Sequence, residues 1–217
     1  MNPTPSIPEP HRHHRRLLLA TPLLLLAGSL AAQQRRLTPR MTLGPFYPDA
    51  LPAERDADLT VVAGQPGRAA GALVYVQGQV TDIRGKPLAK ARVEVWQAND
   101  KGRYAHSADT DASGPLDPNF QGYGTLVTDA QGRYRIKTIK PAPYSGRTPH
   151  LHFTATAGGE RLVTQMFFEG DKLNGRDALY RALDRDAQRS ATGAWTDRAG
   201  DMEADALAIA WDIVLAV

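Results

Sequence analysis

An antiparallel β-sandwich, all-β apart from one short helix and preceded by an extended N-terminal arm, is predicted by three features of this 217-residue sequence. Short segments rich in Val, Ile, Thr, Tyr and Phe recur at even spacing, turn-forming clusters separate them, and a single stretch has helical periodicity. With 42% hydrophobic and 23% charged residues, the chain has the composition of one folded domain.

Residues 1–32 read as an export signal. Arg12, Arg15 and Arg16 precede an apolar run from Leu17 to Ala32, shorter than the ~20 residues a membrane span needs, and Ser29-Leu30-Ala31 has the small-x-small form of a cleavage site. The Arg15-Arg16 pair suggests twin-arginine export, and with it a bacterial periplasmic location and no membrane span after signal removal. Residues 33–71, rich in Pro, Gly and Asp, are expected to form the arm. The domain then occupies 72–217, with strands at Leu73–Thr81, Arg92–Gln97, Thr125–Thr128, Tyr134–Thr138, His150–Thr156 and Arg161–Phe168. Asp82-Ile83-Arg84-Gly85, Asp129-Ala130-Gln131-Gly132 and Ala157-Gly158-Gly159 supply the turns. Asp177 to Gln188 carries Ala178, Leu179, Ala182 and Leu183 at helical spacing, with Asn174 or Asp177 as cap. In Ala206–Val217 the alternation of Ile209, Trp211, Ile213 and Leu215 favours a final strand.

The absence of cysteine excludes disulfides, thiolate metal sites and a cysteine nucleophile, so any metal must use oxygen and nitrogen ligands. The formal charge of +3 falls to about +1 without the leader, too little for a nucleic-acid footprint.

Three histidines remain beyond the leader: His106, His150 and His152. His150-Leu151-His152 lies on a predicted strand, where alternation sends both imidazoles to one face. That is a metal-site pattern, with a solvent-facing polar pair as the plain alternative. A ferrous facial triad would add a carboxylate, and Asp109 or Glu169 has compatible spacing. Tyrosine is the other route, because a cation can hold a phenol ionised near neutral pH. Tyr104 follows a strand, and Tyr144 sits in the stiff Lys140-Pro141-Ala142-Pro143-Tyr144 segment that leads into the histidine strand.

Several further segments occur in order along the chain: Gly44-Pro45-Phe46-Tyr47, Val93-Glu94-Val95-Trp96-Gln97-Ala98-Asn99, Leu116-Asp117-Pro118-Asn119-Phe120, Arg147-Thr148-Pro149-His150-Leu151-His152-Phe153 and Leu162-Val163-Thr164-Gln165-Met166-Phe167-Phe168. In these motifs the sequence resembles the intradiol ring-cleavage dioxygenases, and within them the protocatechuate 3,4-dioxygenase core. The resemblance implies that Tyr104, Tyr144, His150 and His152 ligate Fe(III), with hydroxide at a fifth position. It implies further that a catechol-type substrate chelates the metal, displacing Tyr144, which takes up a proton, and that dioxygen opens the ring to a muconate-type diacid. Arg147 and Gln165 match the family's site arginine and glutamine: a guanidinium can stabilise anionic charge, and an amide can orient a reacting oxygen. The connection from Tyr144 to His150 is shorter than in the protocatechuate enzymes and lacks their tryptophan, which implies a more open site. Pro48, Tyr47, Tyr75 and Arg103 are pocket-wall candidates, and a homo-oligomer is compatible with the sequence.

A different class also fits part of the pattern. Gly85-Lys86-Pro87-Leu88 and Ala91–Val95 resemble non-catalytic transthyretin-like and carboxypeptidase regulatory-like modules. Such modules account for the strands but have no need of Tyr104, Tyr144, His150 and His152 together.

Overall fold

Alternation along the strands decides which side chains enter the core. In the computed structural model, which describes Met1 and residues 35–110 and 114–217, the strands are β1 Leu73–Asp82, β2 Arg92–Trp96, β3 Tyr123–Val127, β4 Arg133–Ile139, β5 His150–Ala157, β6 Glu160–Phe168, β7 Thr192–Thr196, β8 Leu207–Ala210 and β9 Ile213–Leu215. The leader read over 1–32 lies, Met1 apart, outside the described residues. Val74 and Val76 of β1, Val93 and Val95 of β2, Ile136 of β4, and Leu151, Phe153 and Ala155 of β5 share one buried cluster. Each large aliphatic side chain so buried is worth about 1.5–3 kcal/mol. Among the described residues no helix is long and apolar enough to cross a membrane.

The fold is all-β as expected, but the sheet is mixed rather than antiparallel. Its order is β3-β2-β5-β6-β7-β8-β1-β4, with β9 also paired to β1. The parallel pairs are β6 with β7, β1 with β8 and β1 with β9. Parallel pairing needs a crossover, and between β6 and β7 the helical segments provide it. The expected single helix is a 3-10 turn, Asn174–Arg176, followed by α1, Ala178–Arg181, and α2, Arg185–Ala191. Asp177 caps α1 by accepting from the backbone of Leu179 and Tyr180. The break comes at Asp184, whose extended backbone and bond from Ala187 N–H start a second helix.

The expected single C-terminal strand divides at Trp211 and Asp212. There the Asp212 carboxylate accepts the Gln79 N–H at 2.9 Å, and the Trp211 carbonyl presses on Gly78, where a Cβ would lie 1.9 Å from that oxygen. Strand β7 has no signature in the sequence: Thr192-Gly193-Ala194-Trp195-Thr196 is largely exposed and lacks the alternation of large apolar and polar residues that marks the other strands.

Residues 35–72 contain no helix or extended strand, and one stretch of them, Arg55 to Leu59, bonds to both terminal strands of the sheet. Thr125 N–H of β3 donates to Arg55 O at 2.8 Å, and Lys137 N–H of β4 donates to Ala57 O at 2.8 Å. Leu59 N–H returns a bond to Lys137 O, also at 2.8 Å. Sheet edges are thus covered rather than left to pair with other chains. Gly124 makes the close approach possible, since a Cβ there would lie 2.4 Å from Asp56 O. Gly124→Ala is therefore expected to cost about 1–3 kcal/mol, read as a lower urea midpoint at unchanged slope; an unshifted midpoint would show that this stretch is not held against β3.

Candidate metal centre

Strand β5 presents His150, His152 and Thr154 on the face opposite its core residues, and both imidazoles are almost fully buried. His150 Nδ1 lies 2.6 Å from the Thr148 carbonyl. A carbonyl only accepts, so Nδ1 carries the proton and the Nε2 lone pair points away, toward His152 Nε2 at 3.2 Å. Burial, then the Arg147 guanidinium, pushes the His150 pKa down to about 4 despite the opposing Thr148 bond. Burial, His150 and Arg147 likewise hold the His152 pKa well below the usual histidine value. Both rings are therefore neutral and able to donate lone pairs. Trp96 stacks on His152 with ring centroids 4.9 Å apart, and Gly44 abuts its edge, where a Cβ would come 3.0 Å from Cε1. His152 Nδ1 is buried without a hydrogen-bond partner.

Two loops bring in the phenols. After β2, the Asn99 side-chain oxygen accepts from Lys101 and Arg103 N–H at 2.9 and 3.0 Å, and Asp109 accepts from Tyr104 N–H at 2.6 Å. Gly102, at φ 80°, lets this turn press on the Pro143 carbonyl and the Tyr144 side chain. Tyr144 is held by a turn in which Arg147 N–H donates to its carbonyl at 2.7 Å. The Tyr104 and Tyr144 hydroxyls are 3.3 Å apart, and Tyr144 Oη is 3.3 Å from His150 Nε2. Burial raises both phenol pKa values, with Tyr144 adding to the shift of Tyr104, so neither ionises near neutral pH without a cation beside it.

Arg147 and Gln165 flank these donors. The guanidinium donates through Nε to Asp177 Oδ2 at 2.8 Å and through Nη2 to Gln165 Oε1 at 2.7 Å. Gln165 Nε2 in turn donates to Thr42 O at 3.1 Å. Asp177, fully buried, also accepts the Thr148 N–H at 3.0 Å, so the carboxylate that caps α1 sets both Arg147 and the residue whose carbonyl orients His150. In the sequence only its capping role was visible.

His106 stands apart from the four donors. Its Nδ1 accepts from Ala108 N–H at 3.0 Å, which leaves Nε2–H to donate to the Tyr47 carbonyl at 3.1 Å. Of the pocket-wall candidates, Tyr47 and Pro48 lie beside the aromatic cluster around Tyr104, and Arg103 bonds to Gly114 O at 3.2 Å. Tyr75 packs instead with Leu73, Met202, Ala206 and Ala208. Among the described residues no group of three or more His, Cys, Asp and Glu could hold a metal, so a metal at these donors depends on tyrosine.

Residues 42–217 match the family model described as Dioxygenase. The protocatechuate 3,4-dioxygenase beta chain of Burkholderia cepacia is 41% identical over 169 residues, covering 74% of this chain and 71% of that one. The hydroxyquinol 1,2-dioxygenase of Nocardioides simplex is 33% identical over 202 residues, covering 82% of this chain and 64% of the relative. The dioxygenase domain of a carbohydrate-binding fusion from Streptomyces sp. SirexAA-E superposes with a TM-score of 0.64 at 27% identity, over 84% of this chain and 99% of that domain. The chain belongs to the intradiol ring-cleavage dioxygenase family. It is an oxidoreductase of that class, opening a dihydroxylated aromatic ring between its two hydroxyl-bearing carbons, and the non-catalytic module reading is set aside.

In the metal-free protein, His150 should carry its proton on Nδ1 and stay neutral until the pH approaches about 4. Its folded pKa lies below the unfolded value of 6.5, so the unfolded chain takes the proton first. The stability held in the neutral ring is complete above pH 6.5 and lost as the pH falls toward about 4. Imidazole nitrogen NMR across that range tests this; protonation of His150 near 6.5 would contradict it.

Proposed function

We propose that Tyr104, Tyr144, His150 and His152 hold a ferric ion and that a catechol-type ring is cleaved there with dioxygen to a muconate-type diacid. One observation carries the ligand assignment: Tyr104 Oη, Tyr144 Oη, His150 Nε2 and His152 Nε2 form one continuous group, in steps of 3.3, 3.3 and 3.2 Å. Two phenol oxygens suit a hard cation, and neutral imidazoles, one with its tautomer set by a backbone carbonyl, complete the donor set. The expected two-layered sandwich belongs to the same reading, supported by the core that β1 and β4 share with β2 and β5.

When bound, ferric iron supplies the Lewis acidity that keeps the phenols ionised and the diol deprotonated, and the electronic coupling that lets a ring carbon react with dioxygen. The chain's residues do the rest. Tyr144, only half-buried where Tyr104 is buried, is the phenolate positioned to take a proton from an arriving diol hydroxyl at its Oη. Arg147, fixed by Asp177, places a permanent positive charge beside the donors, where it favours the dianionic diol and the negative charge that develops during cleavage. Gln165, held between Arg147 and Thr42, offers an amide of set orientation. Both dioxygen atoms end in the two carboxyl groups of the product.

The leader read over residues 1–32 supports an exported, periplasmic enzyme. The short Tyr144–His150 connection supports a site open to catechols beyond protocatechuate.

Iron-loaded protein should be red-brown and take up oxygen with at least one of catechol, protocatechuate and hydroxyquinol, giving the intradiol product. Tyr104→Phe should lose the visible band together with turnover. Arg147→Ala should keep the colour and lower kcat by on the order of 100-fold. Retained colour and turnover in Tyr104→Phe, or an extradiol product, would sink this reading.

A further inference from the structure

Glu94 is nearly fully buried on β2 and is used by neither the donors nor the Arg147–Gln165 pair. On the same face of that strand, two residues along, Trp96 stacks on His152. The β2–β5 register sets Trp96 opposite His152 and Glu94 opposite Thr154. Glu94 Oε1 accepts from the Tyr47 hydroxyl at 3.0 Å and the Tyr123 hydroxyl at 2.7 Å. Oε2 accepts from Thr154 Oγ1, with Arg92 Nη2 at 3.6 Å.

A carboxylate out of water is costly, and an apolar side chain of similar volume in its place is often neutral or stabilising. Its effect here falls on what Tyr47 belongs to. Residues 42–49 form a strap over the donors. Gly44 abuts the His152 ring, and Phe46 stacks on Tyr104 at 4.6 Å. Tyr47 meets Trp96 edge-on at 5.0 Å. Among the described residues the strap is also tied by Thr42 O to Gln165, Tyr47 O to His106, Asp49 to Ser107 and His106, and the Tyr47 hydroxyl to that of Tyr123. Glu94 supplies a bond to a strap side chain from the sheet that carries the histidines. The acceptor is ionised: burial alone would raise its pKa, but the bonds from Thr154, Tyr123 and Tyr47 hold it below the usual carboxylate range.

We propose that Glu94 is a positioning residue that anchors the 42–49 strap through Tyr47 and so keeps Gly44 and Phe46 seated against His152 and Tyr104. This rests on those residues being metal ligands. A strap that spends part of its time unseated lowers the fraction of binding-competent protein, which raises the apparent dissociation constant and leaves the chemistry of the seated form unchanged.

The test is amide hydrogen exchange at Leu43, Gly44, Phe46 and Tyr47, with steady-state kinetics on catechol, in the full iron-loaded chain. Tyr47→Phe and Glu94→Leu should each accelerate strap exchange about tenfold, matching one lost bond to a charged group. KM should rise only in proportion to the fall in the seated fraction that the exchange data give, while kcat moves less than about threefold. The double variant should do no more than either single one, as expected for two partners in one interaction. Thr154→Val, which removes the hydroxyl that bonds Glu94 Oε2 and leaves Tyr47 its carboxylate oxygen, should leave strap exchange within about twofold. Unchanged strap exchange in Tyr47→Phe, or an acceleration spread equally over β2 and β5, would overturn the proposal. Failure of the iron assignment would show separately, as a colourless wild-type protein without oxygen uptake, whatever the strap does.

Discussion

Strand β5 faces two ways: Leu151, Phe153 and Ala155 enter the main core, while His150, His152 and Thr154 face the two phenols and Glu94. A slip of one residue in its pairing with β2 or β6 would exchange these sets, placing imidazoles in the core and leucine among the donors. The apolar face thus enforces the register, and the register delivers the site. Gln165 lies opposite His152 for the same reason.

Around that strand, buried polar groups are tied to one another rather than left to solvent. Asp177 joins α1, Arg147 and Thr148, Asn99 and Asp109 build the Tyr104 turn, and Glu94 gathers Tyr47, Tyr123 and Thr154. Removing one partner from such a set leaves another unpaired in a low-dielectric interior, which costs more than the bond itself is worth. The result is a rigid frame around four donors whose own chemistry calls for a fixed geometry. Burial keeps the imidazoles neutral and the phenols protonated until a cation arrives, so the same desolvation that shapes the frame prepares the ligands.

Much of this was legible in the chain. Six strands were readable within a residue or two because their alternation runs for several residues and Gly- or Asp-rich turns bound them. Periodicity put His150 and His152 on one face, with a plain polar pair as the alternative, and it was the resemblance to the intradiol family that singled out Tyr104 and Tyr144. What escaped was non-local. β7 is largely exposed and lacks apolar alternation, the break at Trp211 and Asp212 is set by the contact with Gly78, and the helix divides because Asp184 caps as well as Asp177 does.

By itself the sequence determined the strands, the two-faced character of β5 and the residue types able to bind a hard cation, because alternation and side-chain chemistry are properties of consecutive residues. Only the tertiary structure decided that the sheet is mixed, that Arg55 to Leu59 covers both of its ends, that His106 serves the strap rather than the donors, and that Asp177 and Glu94 stand behind the site. Each of these depends on hydrogen bonds between residues far apart in the chain, and no local pattern encodes which distant carbonyl or carboxylate a group will meet.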